Sequence, residues 1–391
     1  MVMLMEKLQK VFRTLHSEGI DFALLSSHEN VMYASNFDTP VPLGAANDFA
    51  GSLPLSLVLV NAKEDIAYLI TADVFSKLAA KQSNISNKLS FPIFGHFEQV
   101  DPAQSYLDCI CKLLHDVELP NKHIRLGIEF KTLPSLLLDL LLKEFKEVQI
   151  VDVEPSLEKV KRVKTDREIE CLRRAARVAD AGQMAFLNAS KAEGGTEFEI
   201  WAEVQRVTSQ EAGMPVPISG EIVTGARTNV VAPGGPQPRV IVKGDCGIMD
   251  LSVRVDGYWC DCCNFVVFGK HPDNEQIRYF TTVKEAFDVA TEMLRPGVRS
   301  CDMFTAMQHI YERNGFSVPH YCGHQIGTNV NECPRIVPYD KSLIEKNMVF
   351  CFEPGIYSGP GGTIGARVEK MVLVTDSGAE ILNKFPWGIT L

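Results

Sequence analysis

The chain has 391 residues, of which 46% are apolar and 23% charged, enough for two or three domains with their own cores. The net charge of −10 at pH 7 argues against nucleic acid or an anionic membrane as a partner, because both bind basic surfaces. No apolar run reaches the roughly 18 residues that a membrane span requires. The 11 cysteines, with no secretion signal before them, predict a reduced protein of the cytoplasm.

The first 154 residues alternate between helical and strand-like patterns. An amphipathic helix is predicted over 4–18, because apolar residues recur there at helical spacing. A loop rich in glycine, proline and asparagine is predicted over 39–51. The other predicted elements are strands at 22–25, 53–60, 67–70 and 124–128 and helices near 73–81, 103–115 and 133–147. This alternation predicts an α/β domain in which helices cover a mixed sheet.

A second domain is predicted to begin at residue 155. The segment 151–164 is polar and contains Pro155, so we interpret it as a linker. Thr165 and Glu168 form a capping box, which predicts the start of a long helix. The predicted helices of this domain are 166–189, 195–213, 274–294 and 301–314, with strands and turns from residue 220 and again near the end.

The most informative stretch has an aspartate on either side of Asp256-Gly257. This dipeptide lies between two β-rich runs and predicts a type I′ hairpin turn, which sets the register of the two strands. Counting outward places Asp250 and Asp261 on one face, roughly 7–8 Å apart at the backbone. Two buried carboxylates repel each other unless a metal or protons neutralise them. The hairpin by itself fits either two metal ligands or two solvent-exposed aspartates.

Further metal-binding side chains follow downstream. His320 and His324 stand beside glycines, where backbone and ligand can approach closely. Glu353 ends one apolar strand and Glu369 lies in another, positions where an unpaired carboxylate costs free energy. Four carboxylates and one imidazole suit a pair of divalent ions such as Mn, Fe, Co or Zn. Such a pair can polarise a carbonyl and hold a bridging hydroxide as nucleophile, so two divalent metal ions are the predicted cofactors.

These motifs resemble the pita-bread metallopeptidase family, which includes Xaa-Pro aminopeptidases, prolidases, methionine aminopeptidases and creatinases. The order Asp, Asp, His, Glu, Glu and the spacing from Asp250 to Asp261 are similar to the family's metal-ligand pattern. The segments that also resemble the family are 30–37, 162–169, 348–357 and 367–369. The resemblance implies an α+β chain in which a smaller α/β creatinase-like domain, 1–154, precedes a pita-bread catalytic domain, 155–391. A first domain of this size favours the Xaa-Pro aminopeptidase, prolidase and creatinase branch.

The resemblance also implies roles for single residues. The implied metal ligands are Asp250, Asp261, His324, Glu353 and Glu369. Asp250 and Asp261 would hold one ion, His324 and Glu353 the other, and Asp261 and Glu369 would bridge them. Glu353 would double as the general acid or base. Manganese is the expected metal, with Zn, Fe or Co as alternatives, and a homodimer is the expected assembly.

The implied substrate-binding residues are His320, Asn331 and Arg367, of which His320 and Asn331 would also act in catalysis. Peptidases of this branch usually carry a histidine where this chain has Asn331, and another near Gly234. Their usual arginine three residues after the second aspartate is Asn264 here, and Ser252 stands where glycine is common. The metal ligands are therefore retained while the surroundings of the substrate differ.

Three functions follow from this pattern. The first is a metal-dependent hydrolase of the Xaa-Pro peptidase type, cleaving an amide bond in a small peptide or peptide-like substrate with a metal-bridged hydroxide. The second is a non-peptidase of the same fold, a creatinase-like C–N hydrolase or a metal-dependent lyase acting on a small carboxylate-bearing compound. The third is a catalytically silent binding protein, against which the five retained ligands argue, because each would be a buried charge without metal.

Overall fold

The computed structural model describes residues 6–40, 48, 51, 53–119, 124–192, 194–231 and 234–389. The chain divides into two compact units, Met1–Lys161 and Arg162–Leu391. Most of the predicted loop over 39–51 lies outside the described residues, as do Ala232 and Pro233. Within the described ranges, no helix is long and apolar enough to cross a lipid bilayer.

The first unit is built around a six-stranded mixed sheet. Its strands are β1 (Phe22–Leu25), β2 (Ser56–Asn61), β3 (Ile66–Ala72), β4 (Asn87–Phe91), β5 (Arg125–Ile128) and β6 (Gln149–Asp152). Its helices are α1 (Glu6–Glu18), α2 (His28–Ser35), α3 (Ser76–Gln82), α4 (Pro102–Asp116), α5 (Ser135–Glu144) and α6 (Glu154–Arg162). The strand order is β4-β3-β2-β1-β5-β6, antiparallel for β1–β2 and β2–β3 and parallel for the other pairs. The predicted mixed sheet is confirmed, although α2, β4, β6 and α6 were not predicted.

Two apolar clusters cover the opposite faces of this sheet. Successive side chains of a strand point to opposite faces, and β1 follows that rule. Phe22 and Leu24 belong to one cluster, whereas Ala23 and Leu25 belong to the other. This explains why the whole of β1 is buried and why its sequence is continuously apolar rather than alternating.

The predicted linker over 151–164 is wrong. Its residues form the end of β6 and the helix α6. Pro155 is the second residue of α6, where a helix needs no backbone N–H donor, so it does not break the helix. Leu157 and Val160 are buried in a core cluster of the first unit. The first unit therefore extends to Lys161, beyond the predicted boundary between residues 154 and 155.

The segment 30–37, part of the family resemblance, is a structural feature of the first unit. Asn30 lies in α2, and its side-chain amide donates to Glu129 Oε1 at 2.6 Å. The backbone N–H groups of Ser26 and Ser27 donate to the other carboxylate oxygen, at 2.6 and 3.0 Å. The buried carboxylate thus binds the start of α2 to the end of β5.

The second unit combines long helices with three sheets. Its helices are α7 (Asp166–Ala189), α8 (Glu197–Ala212), α9 (Asn274–Met293) and α10 (Ser300–Arg313). Its strands are β7 (Ile218–Thr224), β8 (Cys246–Val255), β9 (Tyr258–Val267), β10 (Gly323–Gln325), β11 (Glu332–Arg335), β12 (Val349–Phe352), β13 (Gly355–Tyr357), β14 (Gly365–Arg367), β15 (Lys370–Thr375) and β16 (Gly378–Ile381). The sheets have the orders β7-β8-β9, β11-β10-β12-β15-β16 and β13-β14. The predicted capping box of Thr165 and Glu168 is present at the start of α7.

A buried ion pair fixes the start of the second unit to its central sheet. Lys164 Nζ donates to Glu332 Oε2 at 3.1 Å and to Gln325 Oε1 at 2.6 Å. The Lys164 side chain is only 1% exposed and that of Glu332 only 7%. We expect Lys164→Ala to lower the free energy of unfolding by about 3–5 kcal/mol, because Glu332 would keep an uncompensated buried charge.

Chemical denaturation of the two proteins checks this expectation. Lys346→Ala is the matched control, because Lys346 pairs with Asp376 on the surface, where removal changes stability by less than about 1 kcal/mol. A loss in Lys164→Ala no larger than that of the control would contradict a stabilising role for the buried pair.

Candidate metal centre

The hairpin of β8 and β9 presents Asp250 and Asp261 on one face, as predicted. Asp256 and Gly257 close the turn with φ angles of 51° and 81°, the positive values of a type I′ turn. The predicted register is confirmed, with Ser252 opposite Asp261. The Ser252 hydroxyl, in the place of a common glycine, donates to Asp261 Oδ1 at 3.0 Å.

Neighbouring strands bring the other three side chains to the same place. His324 lies in β10, and Glu353 directly follows β12, which pairs with β10. Glu369 precedes β15, and its backbone forms an isolated bridge with Cys263 of β9. The two hydrogen bonds of that bridge measure 3.1 and 2.9 Å. This bridge joins the sheet of the hairpin to the sheet of β10 and β12, so the five predicted side chains converge.

The functional atoms of these side chains are close to one another. Carboxylate oxygens of Asp250, Asp261 and Glu369 all lie within 4.8 Å of each other. His324 Nε2 lies 3.3 Å from Glu353 Oε1 and 3.9 Å from Asp261 Oδ2. A cluster of four carboxylates around one imidazole therefore exists in the second unit.

His324 has the tautomer that a metal ligand needs. Its Nδ1 lies 2.9 Å from the carbonyl oxygen of Gln325. A carbonyl only accepts hydrogen bonds, so Nδ1 carries the proton and the lone pair of Nε2 faces the carboxylates. Burial lowers the pKa of His324 to about 4, so the ring is neutral at physiological pH. A neutral imidazole with its second nitrogen held by a carbonyl is typical of metal-binding histidines.

The carboxylates are in an unfavourable environment unless a cation lies among them. Burial raises the pKa of Glu353 to about 8. Burial, followed by the charges of neighbouring carboxylates, raises the pKa values of Asp261 and Glu369 well above the ordinary range. Among the described residues, Glu353 Oε1 and Glu369 Oε1 have no hydrogen-bond partner. Glu353 Oε1 also faces the lone pair of His324 Nε2, and two acceptors in contact need a cation or a proton between them.

The donor set fits divalent metal ions. Buried acceptors without donors, a neutral imidazole and mutually repelling carboxylates are all stabilised by positive charge. One further candidate metal ligand, the thiol of Cys351 in β12, was not predicted. Its sulfur lies within 4.8 Å of ligand atoms of His324 and Glu369 and donates to the Asp261 carbonyl at 3.7 Å.

Arg367 lies beside Asp250 and is almost fully buried. Its Nη2 donates to Asp250 Oδ2 at 2.6 Å and to Glu221 Oε2 at 3.1 Å, and its Nη1 donates to the Tyr357 hydroxyl at 2.9 Å. Glu221 in β7 stands directly opposite Asp250 in β8. The guanidinium therefore offsets the charge of two carboxylates and fixes the orientation of Asp250.

His320 lies at the edge of this cluster. Its Nδ1 donates to the Tyr321 carbonyl at 2.6 Å, and its Nε2 lies 3.4 Å from the Tyr357 hydroxyl. Burial lowers the pKa of His320 to about 4, so the ring is neutral at physiological pH. The pair of His320 and Tyr357 thus provides hydrogen-bonding groups that are not charged.

Three positions at which this chain departs from the family's usual residues have surroundings that differ from one another. The side chain of Asn331 contacts Tyr321 and Arg335 rather than standing free. Gly234 has a φ of +93°, and apart from its chain neighbours an added Cβ would meet no atom of the described residues within 4 Å. Asn264 donates to the Pro386 carbonyl at 3.1 Å and accepts from the backbone of Gly388, so it serves the end of the chain.

Five residues of this site were not assigned a role from the sequence. They are Glu221, Tyr321, Arg335, Cys351 and Tyr357. No sequence pattern points to Glu221, because its position opposite Asp250 depends on the pairing of β7 with β8. Tyr357 could have been found, since it ends the segment 348–357 that resembles the family.

The model of metallopeptidase family M24 matches residues 170–376, more than half of the chain. The chain belongs to that family. A model described as the creatinase/prolidase N-terminal domain matches residues 7–163, which agrees with the extent of the first unit. The resemblance stated from the sequence is confirmed, and so is the α+β fold with a creatinase-like domain before the catalytic one.

Several relatives of this M24 chain match along almost their whole length. The Xaa-Pro dipeptidase of Pyrococcus horikoshii is 26% identical over 381 residues, covering 97% of both chains. The crystal structure of the prolidase from Pyrococcus horikoshii has a TM-score of 0.79 at 25% identity, covering 98% of this chain and 100% of that one. The prolidase of Pyrococcus furiosus has a TM-score of 0.75 at 26% identity, covering 96% and 99%. The M24 chain is an enzyme of the hydrolase class, and these relatives give no support to the non-peptidase alternative.

Proposed function

We propose that the chain is a dinuclear metallo-dipeptidase that cleaves Xaa-Pro dipeptides. The convergence of four carboxylates and one imidazole, with Glu353 Oε1 and Glu369 Oε1 buried and without a hydrogen-bond donor among the described residues, is the observation that carries this proposal. The names of the relatives support the substrate class. The experiment is hydrolysis of an Xaa-Pro dipeptide by the metal-loaded protein, with an Xaa-Ala dipeptide and creatine as competing substrates. Cleavage of creatine alone would contradict the proposal and favour a creatinase-like reaction.

The five side chains Asp250, Asp261, His324, Glu353 and Glu369 would hold two divalent ions. When bound, the ions would supply an activated water and polarise the scissile carbonyl. We propose manganese, because oxygen donors predominate, with Zn, Fe or Co as alternatives.

The chain's own residues would move the proton and orient the substrate. Glu353 would act as the general base, and its Oε1, which has no hydrogen-bond donor among the described residues, is the atom that would take the proton. His320 would bind substrate through Nε2, which is unprotonated. Arg367 was predicted to bind substrate; we propose that it also positions Asp250, because its guanidinium donates to Asp250, Glu221 and Tyr357.

Arg335 would bind the terminal carboxylate of the dipeptide. Its Nε donates to Asn331 Oδ1 at 2.9 Å, and its backbone N–H donates to Asp340 Oδ2 at 3.0 Å. Among the described residues, no carboxylate lies within ion-pair distance of the exposed guanidinium. Its charge lies near His324 and Glu353, whose pKa values it lowers. A guanidinium near the metal ligands, whose charge no carboxylate among the described residues pairs with, suits an anionic substrate group.

We expect Arg335→Ala to raise KM for an Xaa-Pro dipeptide roughly 10–100-fold, since a charge-assisted hydrogen bond contributes about 1.5–3 kcal/mol. KM for the C-terminal amide of the same dipeptide should not change, because the amide carries no carboxylate. Arg313→Ala is the control, as Arg313 pairs with Glu285 on the surface of α10. Steady-state kinetics on both substrates measure the effect, and an equal loss on the amide would contradict the assignment.

Two further properties belong to this proposal. We propose a cytoplasmic location, because all 11 cysteines are free thiols and a reducing compartment would keep them so. We also propose a homodimer, on the ground of the family resemblance, which light scattering of the purified protein would test.

A further inference from the structure

The side-chain amide of Asn331 is already hydrogen-bonded to neighbouring side chains. Its Oδ1 accepts from Arg335 Nε at 2.9 Å, and its Nδ2 donates to the Tyr321 hydroxyl at 3.3 Å. Both ends of the amide are therefore engaged by neighbouring side chains. The amide holds Arg335 and Tyr321 in a fixed relation instead of reaching a substrate by itself.

Tyr321 lies beside the metal centre. Its ring centroid is 6.1 Å from that of His324 and 5.8 Å from that of His320, edge to face in both cases. The guanidinium of Arg335 lies 5.6 Å from the centre of the Tyr321 ring, where a cation is attracted to the π-face. Two aromatic contacts and one cation contact fix the orientation of the ring.

The Tyr321 hydroxyl is hydrogen-bonded to Asn331, and a phenol carries its proton at neutral pH. The side-chain nitrogen of Asn331 is only a donor, so the phenol oxygen accepts that hydrogen bond. The O–H proton of Tyr321 is therefore not used in that bond and can be donated to a further acceptor.

We propose that the Tyr321 hydroxyl donates a hydrogen bond to the oxygen of the scissile amide as that oxygen gains negative charge, with Asn331 as its positioning residue. No covalent bond forms or breaks at the phenol, which donates the same proton throughout. This inference rests on the proposed dipeptidase function.

Tyr321→Phe tests the proposal, because phenylalanine keeps the ring contacts and removes only the hydroxyl. We expect kcat for an Xaa-Pro dipeptide to fall about 10²–10³-fold, the loss typical of one oxyanion donor, with KM and bound metal unchanged. Binding of a phosphinic dipeptide analogue, whose tetrahedral phosphinyl group resembles the intermediate, should weaken by a similar factor in calorimetry. The control is Tyr339→Phe, because Tyr339 is 75% exposed.

A double-mutant cycle separates positioning from a general structural effect. Asn331→Ala should lower kcat in the wild-type background but have little further effect in Tyr321→Phe, because both changes act through one hydroxyl. Full additivity would overturn the positioning role of Asn331. A Tyr321→Phe enzyme with wild-type kcat and wild-type phosphinate affinity would overturn the inference and leave the dipeptidase function standing. A wild-type protein that cleaves no dipeptide would instead overturn the proposed function.

Discussion

Replacing Glu353 with glutamine should lower kcat for dipeptide hydrolysis about 10³-fold or more. The substitution keeps the size of the side chain but removes the carboxylate that faces His324 Nε2 at 3.3 Å. Loss of a general base costs roughly 10²–10⁴ in rate, and loss of one anionic ligand weakens the binding of the second ion as well. Both effects act in the same direction, so the combined loss should exceed that from the base alone.

Glu380→Gln is the matched control for this experiment. Glu380 lies in β16 and pairs with Arg173 away from the ligand cluster, so kcat should remain within a factor of two to three of the wild-type value, about 0.6 kcal/mol at most. Steady-state kinetics and the metal content of the same preparations separate the loss of base from the loss of metal. A Glu353→Gln enzyme within tenfold of wild-type kcat would contradict the role proposed for Glu353.

The metal-free chain should lose stability between pH 6.5 and pH 8. Burial raises the folded-state pKa of Glu353 from 4.5 to about 8, and those of Asp261 and Glu369 rise as well. The folded chain then holds protons that the unfolded chain releases, so stability falls as pH rises from the unfolded pKa to the folded one. Each such carboxyl contributes a slope of about 1.4 kcal/mol per pH unit.

The histidines of the site affect the free energy of unfolding at lower pH. Burial lowers the folded-state pKa values of His320 and His324 from 6.5 to about 4. They make stability rise between pH 4 and pH 6.5 and contribute no slope above that range. Over the window from 6.5 to 8 the carboxylates therefore supply most of the slope, opposed at its upper end by Lys370, whose folded-state pKa burial lowers to about 8.

Urea denaturation of the chelator-treated protein at pH 6.5 and pH 8 measures this effect. Asp261→Asn should reduce the slope of the free energy of unfolding against pH, since it removes one of the mutually repelling carboxyls. The metal-loaded protein should show the opposite trend, because metal binding requires deprotonated ligands and strengthens with pH. A metal-free chain whose stability is constant or rises over this window would contradict the electrostatic description of the site.

The parts of the molecule that could be predicted are those specified by neighbours in the sequence. Asp256 and Gly257 determine the turn, and the turn sets the register that brings Asp250 and Asp261 to one face. The capping box at Thr165 likewise predicts the start of α7. In each case the information lies within a few residues.

The parts that could not be predicted depend on long-range pairing or on context. Pro155 was read as a break, but near the start of α6 the missing N–H has no consequence. The contact of Asn331 with Tyr321 requires β10 and β11 to pair with an irregular register, which no local pattern indicates. For the same reason, the sequence did not indicate that the Tyr321 hydroxyl keeps a proton that it can donate. This follows from the direction of its hydrogen bond with Asn331.

The central claim is that five converging side chains hold a pair of divalent ions. Elemental mass spectrometry of the purified protein, repeated on Asp261→Ala, tests this claim most directly. We predict close to two divalent ions per wild-type chain, the ratio of a dinuclear site, and their loss in the variant. A wild-type chain that binds no metal, even after reconstitution with Mn, Co, Fe and Zn, would contradict the account.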